Sequence, residues 1–153
     1  MHAGVIFVIA GTGPLESQLR EEAAFLGIAE HIRFLGYVTD RVGLYHALDA
    51  LMMTSDFEGT PMTLLEAMAS GLPVVASAVD GIAEVCTHGK QALLAPSGDL
   101  GRFQDFLRCI IDGKVLRQNL GDEGRRSVLE SYDIRGIARR IERVYEEVLE
   151  FQY

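Results

Sequence analysis

The chain has 153 residues, 48% of them hydrophobic, which is enough to bury one full core, so a single domain over 1–153 is expected. A net charge of −8 argues against non-specific binding to nucleic acid or to an anionic lipid surface, and the basic residues are scattered apart from Arg135, Arg139, Arg140 and Arg143 near the end. There is no run of ~20 apolar residues and no signal-peptide pattern at Met1. Cys86 and Cys109 share no metal-type spacing with the four histidines, so they read as free thiols of a reducing compartment, the cytoplasm.

In chain order, the run VIFVIAG (5–11) is continuously apolar and β-branched, which predicts a strand buried on both faces. The segment 14–27 opens with Pro14 and ends at Gly27, the punctuation of a helix. A strand is predicted over 31–36, a helix over 41–48, a strand over 50–55 and a helix over 61–70. A strand follows over 73–77, then a short helix near 81–86 and a last strand near 91–95. From Leu100 onward the pattern is helical. Ile134, Ile137, Ala138, Ile141, Val144, Tyr145, Val148 and Leu149 recur every three or four residues, the stripe of an amphipathic helix. Alternating strands and helices over 4–96, with a helical tail over 100–151, predict an α/β fold with a parallel, doubly wound sheet.

In such sheets ligands sit beyond the carboxyl ends of the strands, where this chain has two glycine-rich turns. The first, AGTGPLE, does not complete the dinucleotide fingerprint, because its third glycine position is Glu16 and no acidic residue closes the next strand at Gly36. Gly11 and Gly13 therefore read as a tight strand-to-helix turn. The second, DFEGTP, carries more chemistry. Thr60 as N-cap and Pro61 as first helical residue would leave the amides of Met62, Thr63 and Leu64 pointing out of a helix start, an end that attracts phosphate. On a helical wheel Leu64, Leu65, Met68 and Leu72 share one side, and Thr63, Glu66 and Ser70 the other. Taken singly, Glu58 reads as a solvated loop residue and Glu66 as an exposed helix residue. Taken together with the turn and its place at a strand end, the two carboxylates suit hydrogen bonding to two sugars either side of a diphosphate.

The stretch EGTPMTLLEAMASGLPVVAS closely resembles the signature of the family 4 glycosyltransferases, retaining enzymes of GT-B architecture whose E-x7-E motif matches Glu58 to Glu66. FVIAGTGPLESQL, IRFLGYV, LDALMMTSDFEGTP, GLPVVASAVDGIAEV and LLAPSGDLGRF resemble, in order, segments of that family's C-terminal, donor-binding domain. The resemblance implies that Glu58, the catalytic candidate, contacts hydroxyls of the transferred sugar. It also implies that the backbone of Gly59, Thr60, Pro61 and Met62, with Thr63, lines the sugar and diphosphate, and that Glu66 binds the ribose. Tyr37 and Val38 would cradle the base, and Gly11 and Gly13 would shape the cleft wall. The implied reaction is transfer of a sugar from a nucleoside-diphosphate donor to a sugar, lipid or small-molecule acceptor, in polysaccharide biosynthesis. No metal or other cofactor is expected, and the full-length enzyme would be cytoplasmic or peripheral to the inner membrane.

The resemblance carries a departure. Met1 falls just before the family's second strand, so the first strand, its Arg and Lys clamp and the acceptor domain have no counterpart, and Lys90 and Lys114 do not match the clamp. The isolated chain is thus expected to be an incomplete, inactive transferase; the alternative is a non-catalytic nucleotide-sugar-binding module that docks on a separate acceptor domain. A nucleotide-sugar epimerase or an α/β signalling domain fits the residues less well. A missing central strand would leave the strands at 5–11 and 50–55 without a neighbour, so direct pairing between them, or self-association in solution, is expected.

Overall fold

The computed structural model describes residues 4–150. The chain divides between Leu44 and Tyr45 into two compact units. In the first unit β1 (Phe7–Ala10) is followed by α1 (Glu16–Phe25), a short 3-10 turn and β2 (Ile32–Gly36), with α2 (Arg41–His46) spanning the division. β1 and β2 pair in parallel, Phe7 opposite Ile32 and Ala10 opposite Gly36, with a register shift between Ile9 and Ala10. Gly27, at φ 67°, ends α1 in the left-handed conformation, and Ile28 donates its amide back to Ala23. Arg20 ties helix to sheet: it pairs with Glu16 at 2.8 Å and lies 4.2 Å over the Phe34 ring.

The strand at 5–11 is shorter than predicted, and it is not buried on both faces: Ile6, Phe7 and Ile9 are all exposed. Among the described residues it forms a ladder with β2 alone. An unbroken apolar run shows that a strand tolerates burial on both sides, and carries no information about which neighbour supplies it.

The second unit holds β3 (Leu51–Met53), α3 (Met62–Ala69), β4 (Val74–Ser77), α4 (Asp80–Val85) and β5 (Leu93–Ala95). After them come three long helices, α5 (Leu100–Asp112), α6 (Lys114–Ser131) and α7 (Ile134–Glu150). The strands form a parallel sheet in the order β3-β4-β5, with Leu51 opposite Val74 and Val75 opposite Leu93. β4 is central and wholly buried. Leu64, Leu65 and Met68 of α3 pack with Met53, Val74, Ala76 and Ile82 on one face of it. On the other, Val75 and Leu93 meet Phe103, Ile110 and Leu120. Asp99 caps α5 by accepting the Arg102 amide at 3.0 Å. At the far end of α3, α6 comes so close that a Cβ on Gly121 would strike the Gly71 carbonyl oxygen.

All registered pairs are thus parallel, as the alternation predicts, but they lie in two sheets, and β1 does not pair with β3 among the described residues. The periodicity of α7 also stands, yet the helix buries none of its residues: Ile134, Ile141, Val144 and Val148 remain exposed.

Cys86 sits against α3, its Sγ 3.6 Å from Met68 Sδ. Burial pushes its thiol up to about 11 from an ordinary 9.0. The folded thiol keeps its proton where the unfolded one loses it, so this contribution to stability is complete below pH 9 and is lost as the pH rises from about 9 to 11. At pH 8 a thiol reagent is expected to label the exposed Cys109 and to reach Cys86 only on unfolding. Peptide mass spectrometry checks this, and equal labelling of both cysteines in the native protein would contradict the packing described.

Candidate functional site

The second glycine turn lies where β3 gives way to α3, at the carboxyl end of the sheet. Three contacts from three segments hold it. Ser55 Oγ donates to Glu58 Oε1 at 2.7 Å. Ser97 Oγ, on the loop after β5, donates to Asp56 Oδ1 at 2.6 Å. The Gly81 amide, in the first turn of α4, donates to the Glu58 carbonyl at 3.1 Å. Glu58 is consequently half-buried and fixed rather than a freely solvated loop residue.

The helix begins one residue later than predicted. Pro61 occupies the N-cap position, at φ −78° and ψ 77°, and no side chain caps the end. Thr60 instead accepts the Met62 amide on its carbonyl at 2.9 Å, and the helical ladder opens with Leu65 donating to Pro61 at 3.1 Å. The Met62 amide is therefore engaged, which corrects the expectation that it points outward with its neighbours. Thr63 and Leu64 carry the first-turn amides that precede the ladder, and there the helix dipole favours negative charge.

Along α3 the wheel holds. Leu64, Leu65, Met68 and, just beyond the helix, Leu72 are buried, Thr63 is exposed, and Glu66 and Ser70 are half-buried. Glu66 Oε2 accepts a hydrogen bond from the Tyr45 hydroxyl at 3.0 Å. Tyr45 is itself buried against Ala67 and Leu72, so its phenol is a rigid donor that sets the carboxylate's orientation. The two acidic residues, with Gly59, Thr60, Pro61, Met62 and Thr63 between them, lie on one continuous loop-and-helix start. No Lys or Arg occurs from Thr54 to Ser70, so backbone amides are the only positive groups this stretch itself offers an anion.

The other predicted residues belong to the first unit. Gly11 has φ 130°, a conformation that L side chains rarely adopt, and its amide donates to the Gly36 carbonyl at 2.7 Å. The first glycine turn and the start of the Tyr37–Val38 segment therefore lie side by side at the carboxyl ends of β1 and β2. Gly13 accepts the Glu16 amide at 3.3 Å on the way into α1, as the tight-turn reading requires. Tyr37 is largely exposed and Val38 half-buried.

Ser55, Ser97, Tyr45 and Gly81 escaped the sequence reading. Serines and tyrosines carry no signal of their partners, whereas a glycine inside a helical pattern, as in DGIAEV, calls for a packing reason. Among the described residues, no group of three or more His, Cys, Asp or Glu stands close enough to hold a metal ion, and no helix is long and apolar enough to cross a membrane. A surface hollow of about 280 Å³ opens at the other end of α3, lined by residues including Tyr45, Ser70, Gly71 and Arg117. Neither Glu58 nor Glu66 lines it.

Residues 1–127 match the family model described as "Glycosyl transferases group 1". The phosphatidyl-myo-inositol mannosyltransferase of Mycobacterium leprae is 38% identical over 152 residues, covering 94% of this chain and 38% of that protein. The GDP-mannose-dependent alpha-(1-6)-phosphatidylinositol monomannoside mannosyltransferase of Mycobacterium tuberculosis is 33% identical over 131 residues, covering 80% of this chain and 34% of that protein. The chain thus spans between a third and two fifths of these relatives' length. In structure it is similar to Anabaena Alr3699/HepE in complex with UDP, with a TM-score of 0.88 at 22% identity over 94% of this chain and 41% of that one. This likeness establishes the fold as Rossmann-like α/β with a helical C-terminal extension.

Proposed function

The chain belongs to the glycosyl transferases group 1, and we propose that it is the donor-binding part of a retaining, family 4 enzyme that moves a sugar from a nucleoside-diphosphate sugar to an acceptor. The observation that carries this reading is the pairing of two half-buried carboxylates, Glu58 and Glu66, either side of the first turn of α3, each with one oxygen held by a hydroxyl. A carboxylate beside a diphosphate is repelled unless it binds something else, and sugar hydroxyls are what remain. The first-turn amides of α3 meet the diphosphate, and any charge that builds on it as the sugar leaves. Glu58 takes the transferred sugar and Glu66 the ribose. The dependence of a 33% identical relative on GDP-mannose supports a nucleotide-sugar donor.

Calorimetric titration of the chain with a nucleoside diphosphate and with its sugar conjugate tests the reading. Binding of both is expected, with the conjugate favoured, and removal of divalent metal by a chelator should leave both affinities unchanged. Glu66→Ala is expected to weaken nucleoside diphosphate binding about tenfold, the loss of one hydrogen bond to a charged acceptor at roughly 1.5 kcal/mol. A purified, folded chain that binds neither ligand at millimolar concentration would overturn the proposal. Unchanged affinity in Glu66→Ala would remove that residue from the ribose.

A further inference from the structure

A glycine costs a helix roughly 0.5–1 kcal/mol relative to alanine, because it has more freedom to lose on folding. Gly81 nonetheless occupies the second position of α4. Its backbone does not require glycine, since its φ lies outside the left-handed region. What excludes a side chain is the opposing backbone. A Cβ built on Gly81 would collide with the Gly59 carbonyl oxygen, and it would fall 2.5 Å from the Glu58 carbonyl oxygen and 2.9 Å from the Gly59 carbonyl carbon. These are main-chain atoms of a turn whose next residues, Thr60 and Pro61, lead into the buried helix α3, so they cannot swing aside as the tip of a long side chain would. At the same place the Gly81 amide donates to the Glu58 carbonyl at 3.1 Å.

We infer that Gly81 is a positioning residue for the donor sugar: its amide and its missing Cβ together set where the Glu58–Gly59 turn stands, and so where the Glu58 carboxylate meets the sugar. This rests on the donor-binding reading above and adds to it a residue that touches no substrate. Its action is local. Gly121, the other described glycine whose Cβ would fall within 3.0 Å of the backbone of a distant segment, packs α6 on the far end of α3, away from both carboxylates. The hydroxyl of Ser97 on Asp56 and that of Ser55 on Glu58 hold side chains of the same turn, whereas the Gly81 amide holds its main chain at the Glu58 carbonyl.

The test compares the affinities of a nucleoside diphosphate and of its sugar conjugate, measured by calorimetry on wild type, Gly81→Ala, Glu58→Ala and the double variant. Gly81→Ala is expected to lower conjugate affinity about tenfold or more while changing bare nucleoside diphosphate affinity less than about threefold. The double variant should bind the conjugate no more weakly than Glu58→Ala alone, because both changes act through one carboxylate. A general loss of stability would instead depress both ligands alike and add to the effect of Glu58→Ala. If Gly81→Ala does not fold, hydrogen exchange on the wild type decides: the conjugate should slow the Gly81 amide more than the bare nucleoside diphosphate does. A folded Gly81→Ala that keeps the wild-type preference, or a Gly81 amide indifferent to the sugar, overturns this inference and leaves donor binding standing. A wild type that shows no preference for the conjugate overturns the donor-binding reading itself.

Discussion

Leu64→Ala is expected to lower the unfolding free energy of the chain by about 3 kcal/mol, a shift of roughly 10 °C in the thermal midpoint. Leu64 is fully buried, and it lies where the sheet, α3 and α4 meet, among Met53, Met68, Val74 and Ile82. Truncation there removes apolar burial and opens a cavity in contact with the rigid central strand, which cannot relax to fill it. Leu64→Met, which conserves volume, should cost less than about 1.5 kcal/mol. Denaturant melts check this through a lower midpoint at unchanged slope. A loss below about 1 kcal/mol would mean that α3 is not packed on the sheet as described. The same residue carries a functional consequence. Leu64 stands two positions before Glu66 and supplies one of the first-turn amides, so whatever loosens its side chain loosens the helix end proposed to bind the diphosphate.

Local chemistry made most of the elements legible. Pro14 and Gly27 bracket α1 to within two residues, the 3–4 spacing of Leu64, Leu65 and Met68 identifies the buried side of α3, and the β-branched PVVAS segment becomes the central strand. What stayed hidden depends on residues distant in sequence. Tyr45 and Glu66 are 21 positions apart on different helices, and no periodicity links them. The division of the strands into two sheets follows from which backbone edges meet, and side-chain pattern does not encode that. The exposed stripe of α7 shows the same limit from the other side, because amphipathic spacing predicts the face and not what covers it. The error at Thr60 was smaller and of another kind. Threonine is a good N-cap by type, but Pro61, at φ −78° and ψ 77°, makes an inverse γ-turn in which the Thr60 carbonyl, rather than its hydroxyl, takes the Met62 amide.

Glu58→Ala is expected to weaken binding of a nucleoside-diphosphate sugar by about 3 kcal/mol, roughly 150-fold, and to leave binding of the nucleoside diphosphate nearly unchanged. Each hydrogen bond from a neutral donor to a charged carboxylate contributes roughly 1.5–3 kcal/mol, and a carboxylate that accepts from more than one sugar hydroxyl falls at the upper end. Preorganisation keeps that energy available. One oxygen of Glu58 is already oriented by Ser55 at 2.7 Å, and its main chain is held by the Gly81 amide, so little side-chain entropy is left to lose on binding. Ser55→Ala should therefore reduce conjugate affinity in the same direction by a smaller amount, about threefold to tenfold, by freeing the carboxylate rather than removing it. Glu58→Gln separates charge from shape: an amide of the same size can still accept a hydroxyl on its oxygen but offers no formal charge, and its affinity should fall between wild type and Glu58→Ala. The order wild type, Ser55→Ala, Glu58→Gln, Glu58→Ala in conjugate affinity, against a flat response to the bare diphosphate, is the signature of a carboxylate that reads the sugar. Parallel losses for both ligands would place Glu58 in the framework of the turn instead, and would move sugar recognition to another residue.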